Sequence, residues 1–432
     1  MSPTFRSLAN PNYRRYATGG LVSNVGTWLQ RVAQDWLVLL LSGSGAAIGV
    51  TTGLQFLPVL LLAPIAGVVA DRMPKRRLLQ LTNLGMALPA LVLGLLAVTG
   101  TVQLWHVYVL ALVLGAASAF DGPARQSFVS ELVERRELTN AIALNSVSFN
   151  SARIVGPGLA GVLIAAFGND VPGTGWVILL NAASYAAPIV GLSRLDASRL
   201  RPARLLGRER GQVRAGFAYL RRRPDLLAVL GVVFATGTFG LNFQLTSALM
   251  ATQVFGRGPT EYGLLGTVMA VGSLTGSLLA ARRAESGLRL IVGAALAFGA
   301  VEMAAGLMPS YLTYALICPL LGLCALTMIT SANVFMQTRA EPAMRGRVMA
   351  VYLMVFTGGT PLGSPFIGWV GERYGARWTL LVGGLLTILG TALAAALLQR
   401  GRRRRAVLTG PTGAGSLSTR VWDDQALARA RK

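Results

Sequence analysis

Apolar stretches of about 20 residues recur along almost the whole chain, each long enough to cross a hydrocarbon layer of about 30 Å. Within such a layer the backbone must satisfy its own hydrogen bonds, so an uninterrupted apolar run implies a helix. Barrel strands would alternate apolar and polar residues instead. The composition agrees, with 53% hydrophobic and only 13% charged residues, about half the charge of an ordinary soluble domain.

The predicted spans are 16–41, 44–70, 77–99, 103–122, 141–167, 174–192, 225–255, 260–280, 288–308, 311–334, 346–370 and 376–399. The expected fold is thus an all-α integral membrane protein of twelve transmembrane helices. A basic segment divides them into two sets of six. The organisation read from this is a six-helix half over 1–192, a basic cytoplasmic linker over 193–224, a second half over 225–399 and a disordered cytoplasmic tail over 400–432.

A net charge of +23 raises the question of nucleic acid. Of the 40 Lys and Arg, all but Arg257, Arg373, Arg377, Arg31 and Arg153 fall in the termini or at loops on the termini's side. The charge therefore reports topology, with both termini in the cytoplasm of a cell membrane, and no nucleic-acid partner is needed. Trp105, Trp176 and Trp378 stand at outer helix ends as interfacial anchors, with His106 beside the first. The first span is too long and polar for a cleavable signal peptide. Arg402 to Arg405 read as a stop-transfer flank, with contact to anionic lipid headgroups as the alternative. The linker holds an amphipathic helix near 211–222 whose Val213, Phe217 and Leu220 suit either a membrane surface or a solvated linker without lipid contact.

The halves echo each other. Gly156, Gly161 and Gly168 in the fifth span recur at one constant offset as Gly363, Gly368 and Gly375 in the eleventh. Duplicated six-helix halves around a central path are a common plan of secondary transporters.

After the second span come Gly67, Asp71, Arg72, Pro74, Lys75, Arg76 and Arg77. Their spacing resembles the cytoplasmic loop signature of the major facilitator superfamily, Gly-x-x-x-Asp-Arg-x-Gly/Pro-Arg/Lys-Arg/Lys. The resemblance implies two pseudo-symmetric six-helix bundles and a cytoplasmic gate. In that gate Asp71 meets the start of the eleventh helix, and Asp121 is a candidate partner for Arg72. The matching place in the second half, Gly276 to Arg283, has Ala280 where the acid would stand.

Gly156, Pro157 and Gly161 resemble the Gly-Pro-x-x-Gly-Gly signature of the family's drug–proton antiporters, with Ala160 replacing one glycine. Ordinary small-residue packing and a proline bend are the plainer account. Further stretches, among them Gln55 to Pro58, Phe120 to Gln126 and Asn140 to Pro157, resemble bacterial exporters of the enterobactin-exporter-like branch. That resemblance implies export of drugs, antibiotics or siderophores.

The first span carries Asn24, Thr27, Arg31, Gln34 and Asp35 on one helical arc, expected to face a central cavity. Arg31 and Asp35, four apart, have the spacing of an ion pair. Arg153 is a second cation at similar depth, and Glu302 an acid of the second half. Intramembrane charges are costly and point to function. An internal salt-bridge cluster is the structural alternative. Asp35 is the leading proton carrier and Glu302 the second. Two cavity cations also permit an anionic substrate.

Other functions are poorly supported. The lysines are Lys75 and Lys432, neither after a glycine, so no phosphate loop of an ATP-driven pump is present. One histidine and no acidic cluster argue against an enzyme, and Cys318 and Cys324 point to different faces of one helix, as neither a disulfide nor a metal pair. The expectation is a monomeric, proton-coupled exporter of a small molecule, with no cofactor and no metal. Uptake and a non-transporting receptor are the alternatives.

Overall fold

The computed structural model describes residues 3–200, 212–281, 287–342 and 344–408. Arg282, Arg283 and the segments 201–211 and 409–432 lie outside the described residues. No strand occurs among those described.

A short 3-10 turn, Pro3–Ala9, leads into α1 (Pro11–Ser42), α2 (Gly45–Arg72), α3 (Lys75–Val98), α4 (Leu104–Leu132), α5 (Leu138–Ala166) and α6 (Val171–Ser193). The second half holds α7 (Pro224–Val254), α8 (Pro259–Ala281), α9 (Leu288–Gly306), α10 (Tyr311–Arg339), α11 (Arg345–Tyr374) and α12 (Ala376–Leu408). Side-chain caps start several of them. Asn10 accepts from the amides of Asn12 and Tyr13, Ser44 from Ala47 and Asp170 from Gly173. We call the side holding the α2–α3 loop the near side, and the opposite one the far side.

Eleven helices among the described residues are long and apolar enough to cross a membrane by length and composition. The twelfth is α1, whose polar arc dilutes its apolarity although its 32 residues are ample for a crossing. It lies in the first bundle against α5 and α6. In that bundle α2 packs on α4, and α3 lies against both α4 and α6. In the second, α8 packs on α10, and α9 lies against α10 and α12.

The bundles meet along α2–α11 and α5–α8. The second helix of each half thus faces the fifth helix of the other, as a pseudo-two-fold axis requires. Helices in lipid gain little from burying one apolar surface against another, so close contact at small residues holds them together. A Cβ on Gly49 would lie 2.2 Å from the Ser364 carbonyl, and one on Gly161 would lie 2.3 Å from that of Pro259. The repeated glycine register belongs to this symmetry. Gly161 and Gly368 sit at the two inter-bundle seams, while Gly168 (φ 119°) and Gly375 (φ 97°) turn the chain after α5 and α11.

Three expectations need revision. The span over 225–255 is not one regular helix: π-helical turns occupy Thr236–Gly240 and Met250–Val254, and Leu241 and Asn242 interrupt it. The Asn242 amide replaces the lost backbone partners, donating to the Thr238 carbonyl at 3.0 Å. α12 continues to Leu408, so helix stands at 400–408 where a disordered tail was expected. The linker helix, Gln212–Arg221, docks on α11 with Leu220 fully buried and Phe217 exposed, while the Val213 side chain lies outside the described residues.

Candidate functional site

A cavity of about 240 Å³ lies between the bundles. The first bundle contributes Trp28, Arg31, Thr52, Phe56, Arg153 and Pro157, and the second contributes residues 241–245 and Ser247 of α7, Tyr262, Ser273, Thr360 and Ser364. The α7 interruption exposes this wall, and Ser364 of α11 pins it by donating to Asn242 Oδ1 at 2.6 Å.

Of the polar arc on α1, Arg31 alone lines the cavity. Its guanidinium lies 4.9 Å from the Trp28 ring centroid and 5.9 Å from that of Phe56, an aromatic seat for a cation. Asn24 donates to Ser148 at 3.3 Å and Thr27 to the Ser23 carbonyl at 2.9 Å, both within the first bundle, and Gln34 is buried. The expected Arg31–Asp35 ion pair is not formed. Asp35 is buried behind the cavity, where it accepts a 2.9 Å hydrogen bond from the hydroxyl of Tyr262 on α8. Trp36 stacks on the same ring at 6.1 Å. Tyr262 therefore touches the cavity on one side and the acid on the other.

Arg153 does reach the cavity. It donates to Asn150 at 3.0 Å, and its Nε has no partner. Among the lining residues these two arginines carry the charge, and no acid faces them. The Gly156–Pro157–Gly161 motif packs closely against its neighbours, and Pro157 also lines the cavity. A Cβ on Gly156 would lie 2.4 Å from Trp28, and the Pro157 carbonyl abuts Gly263 of α8. Glu302 stands apart, in a smaller void of about 50 Å³ inside the second bundle.

The loop motif differs from expectation in its partners. Asp121 is held by Arg125 at 2.9 Å and by the Thr82 hydroxyl at 2.9 Å, and so is not the partner of Arg72, which is exposed. Lys75 is buried in an ion pair with Glu131 of α4 at 2.6 Å, and Arg76 donates to the Ser193 carbonyl at 2.7 Å. The two cations thus clamp the α2–α3 loop onto α4 and α6, while Arg77 is exposed. Gly67 is buried on α2 and Asp71 half-buried at its end.

Sequence reasoning overlooked Tyr262, Lys75–Glu131 as a pair, and the α7 wall. Asn242 beside Gly240 inside an apolar span was the available signal for the last. Both cysteines are free, and no group of residues suited to a metal occurs among the described residues.

Comparison with known proteins follows the same lines. The multidrug efflux pump Tap of Mycolicibacterium fortuitum is 28% identical over 385 residues, covering 85% of this chain and 91% of that protein. The staphyloferrin A transporter of Staphylococcus aureus is 24% identical over 379 residues, covering 84% and 90%. In structure, a bacterial homologue of the human lysosomal transporter Spinster superposes with a TM-score of 0.70 at 16% identity, over 93% of this chain and 98% of that one. The profile of the transmembrane secretion effectors matches residues 2–405. Spanning helices, two facing bundles and near full-length similarity agree, and the chain belongs to the transmembrane secretion effector family of the major facilitator superfamily of membrane transporters.

Proposed function

We propose that this protein exports a small amphiphilic compound, a drug, antibiotic or siderophore, by proton-coupled alternating access. It acts as a monomer in the cell membrane, with both termini cytoplasmic as the charge distribution favours. The observation that carries this reading is the path from the central cavity through Tyr262 to the buried Asp35. Far-side opening must separate α1 from α8 and so break that hydrogen bond. The bond is charge-assisted while Asp35 is ionised and weaker once it is protonated. Proton occupancy of Asp35 is thereby linked to whether the far ends are joined. The Tap efflux pump, similar over most of its length, supports export over uptake, and the staphyloferrin transporter supports a siderophore among the candidate substrates. The Gly67–Arg77 loop, with Asp71 and Arg72, is the cytoplasmic gate on this reading.

The cavity lining also supports a substrate bearing an anionic group, because Arg31 and Arg153 face it without an acid. Moving an anion out of an inside-negative compartment gains about 2.3 kcal/mol per 100 mV.

The test is substrate-induced pH change in proteoliposomes of the purified protein, with siderophores, macrolides and cationic dyes. Protons moving opposite to a compound, and lost in Asp35→Asn, are expected. Protons moving alongside it would make the protein an uptake permease, and normal coupling in Asp35→Asn would remove Asp35 from the mechanism.

A further inference from the structure

We propose that Glu302 and Thr387, together with the broken stretch of α7, form a binding site for a small monovalent cation, H⁺ or Na⁺, inside the second bundle. The site is distinct from the central cavity and from Asp35.

Glu302 is 2% exposed, and its Oε2 has no hydrogen-bond partner. The Thr387 hydroxyl on α12 is equally buried and equally unpartnered. Both converge on one point. A Cβ on Gly240 would lie 2.9 Å from Thr387 Oγ1 and 3.2 Å from Glu302 Oε2. On the other face, a Cβ on Gly383 would lie 3.1 Å from Glu302 Oε1 and 2.7 Å from the Phe239 carbonyl. Two glycines on two helices thus let their backbones and the Phe298 ring close up on one carboxylate, and a void of about 50 Å³ opens beside it. That volume exceeds what one water or a small ion needs.

The groups facing Glu302 offer no positive charge. α7 contributes Gly240 and Thr246, α8 contributes Met269, and α10 contributes Leu321 with Tyr314 nearby and Cys318 beyond it. α12 contributes Leu380, Gly383 and Thr387. Among the described residues Glu302 is in no ion pair. A bare carboxylate in such surroundings is prohibitively costly, and a bound proton or cation removes the cost. Interrupted helices whose loosened backbone faces an ion are a recurrent construction in transporters, and the π-helical turn Thr236–Gly240 ends beside this void.

Leu241, Phe243 and Met269 line both the void and the central cavity, so the wall between them is one side chain thick. Asn242, at the interruption, is bonded to Ser364 of the cavity lining. Cation occupancy at Glu302 therefore bears on the shape of the α7 wall that the substrate meets. This coupling role rests on the exporter reading, whereas the site itself does not.

The experiment follows the thermal midpoint of the purified full-length protein through a pH series in choline chloride, and through a NaCl series against choline and KCl. A native state that takes up a proton is stabilised at low pH and loses that stability as pH rises. A Na⁺ site is stabilised by NaCl alone. A midpoint shift of a few degrees in one series is expected, and the series that responds identifies the ion. Glu302→Gln, neutral at every pH, should remove the Glu302 share of that response, leaving what Asp35 and the other carboxyls contribute. Should that variant not fold, Glu302→Asp and Thr387→Val should displace the midpoint of the responding titration. Responses superimposable on the unaltered protein in both series, for every variant that folds, would overturn the site. Failure of the unaltered protein to transport any compound would sink the exporter reading and leave these titrations standing.

Discussion

Tyr262 and Asp35, 227 positions apart in the chain, share a 2.9 Å hydrogen bond across the boundary between the two bundles. Trp36, next to the acid, stacks on the Tyr262 ring with an interplanar angle of 20°. Tyr262→Phe keeps the stack and deletes the bond. A hydrogen bond to a charged group contributes roughly 2 kcal/mol, so the far-joined form should lose stability by a factor of about 30. Spin labels on the far-side loops after α1 and α7 should then report a larger separated population. Distance distributions identical to those of the unaltered protein would show that the bond does not hold the bundles.

Gly49 and Ser364 make the second seam as close as backbone allows. Gly49→Val places methyl groups where the Ser364 carbonyl stands, and that carbonyl belongs to a long helix that cannot shift alone. The expected result is a folded protein with its far side held apart and transport lost. With both native cysteines replaced by serine, Thr52→Cys should react faster with a membrane-impermeant thiol reagent added from the far side when Gly49→Val is present. Equal rates would disprove the wedge.

Lys75 and Glu131 are 7% and 9% exposed. Lys75→Ala deletes the buried cation that faces Glu131 and should cost up to about 3 kcal/mol, while Lys75→Met with Glu131→Gln should recover most of it. Thermal unfolding of the three proteins in detergent measures this. A double variant no better than Lys75→Ala would show that charge pairing is not what clamps the α2–α3 loop.

Arg153 reaches the cavity with an unpartnered Nε. Arg153→Ala should weaken binding of an anionic dye by about tenfold, equivalent to about 1.4 kcal/mol, and leave a cationic dye of similar size nearly unaffected. Fluorescence titration of both dyes decides it. Equal affinities, unchanged by the substitution, would dismiss an anionic preference.

The helical bundle was legible in the sequence because lipid imposes a length on every crossing and excludes other backbone solutions. The loop signature was legible because a local spacing survives without knowledge of neighbours. The glycine register was legible for a related reason: the pseudo-two-fold axis makes the same demand twice, at Gly161 against α8 and at Gly368 against α2.

The partners were not legible. Helical periodicity puts Asn24, Thr27, Arg31, Gln34 and Asp35 on one broad arc, but α1 is hemmed in on several sides. Residues one turn or one step apart on it meet different neighbours, so Arg31 faces the cavity while Asp35 faces Tyr262. Likewise Asp121 met Arg125 one turn along its own helix before any loop residue could reach it. Hydropathy and period determine which segments become helices and which residues share a face. What stands opposite each face is decided by how twelve helices pack, and that depends on contacts between residues hundreds of positions apart.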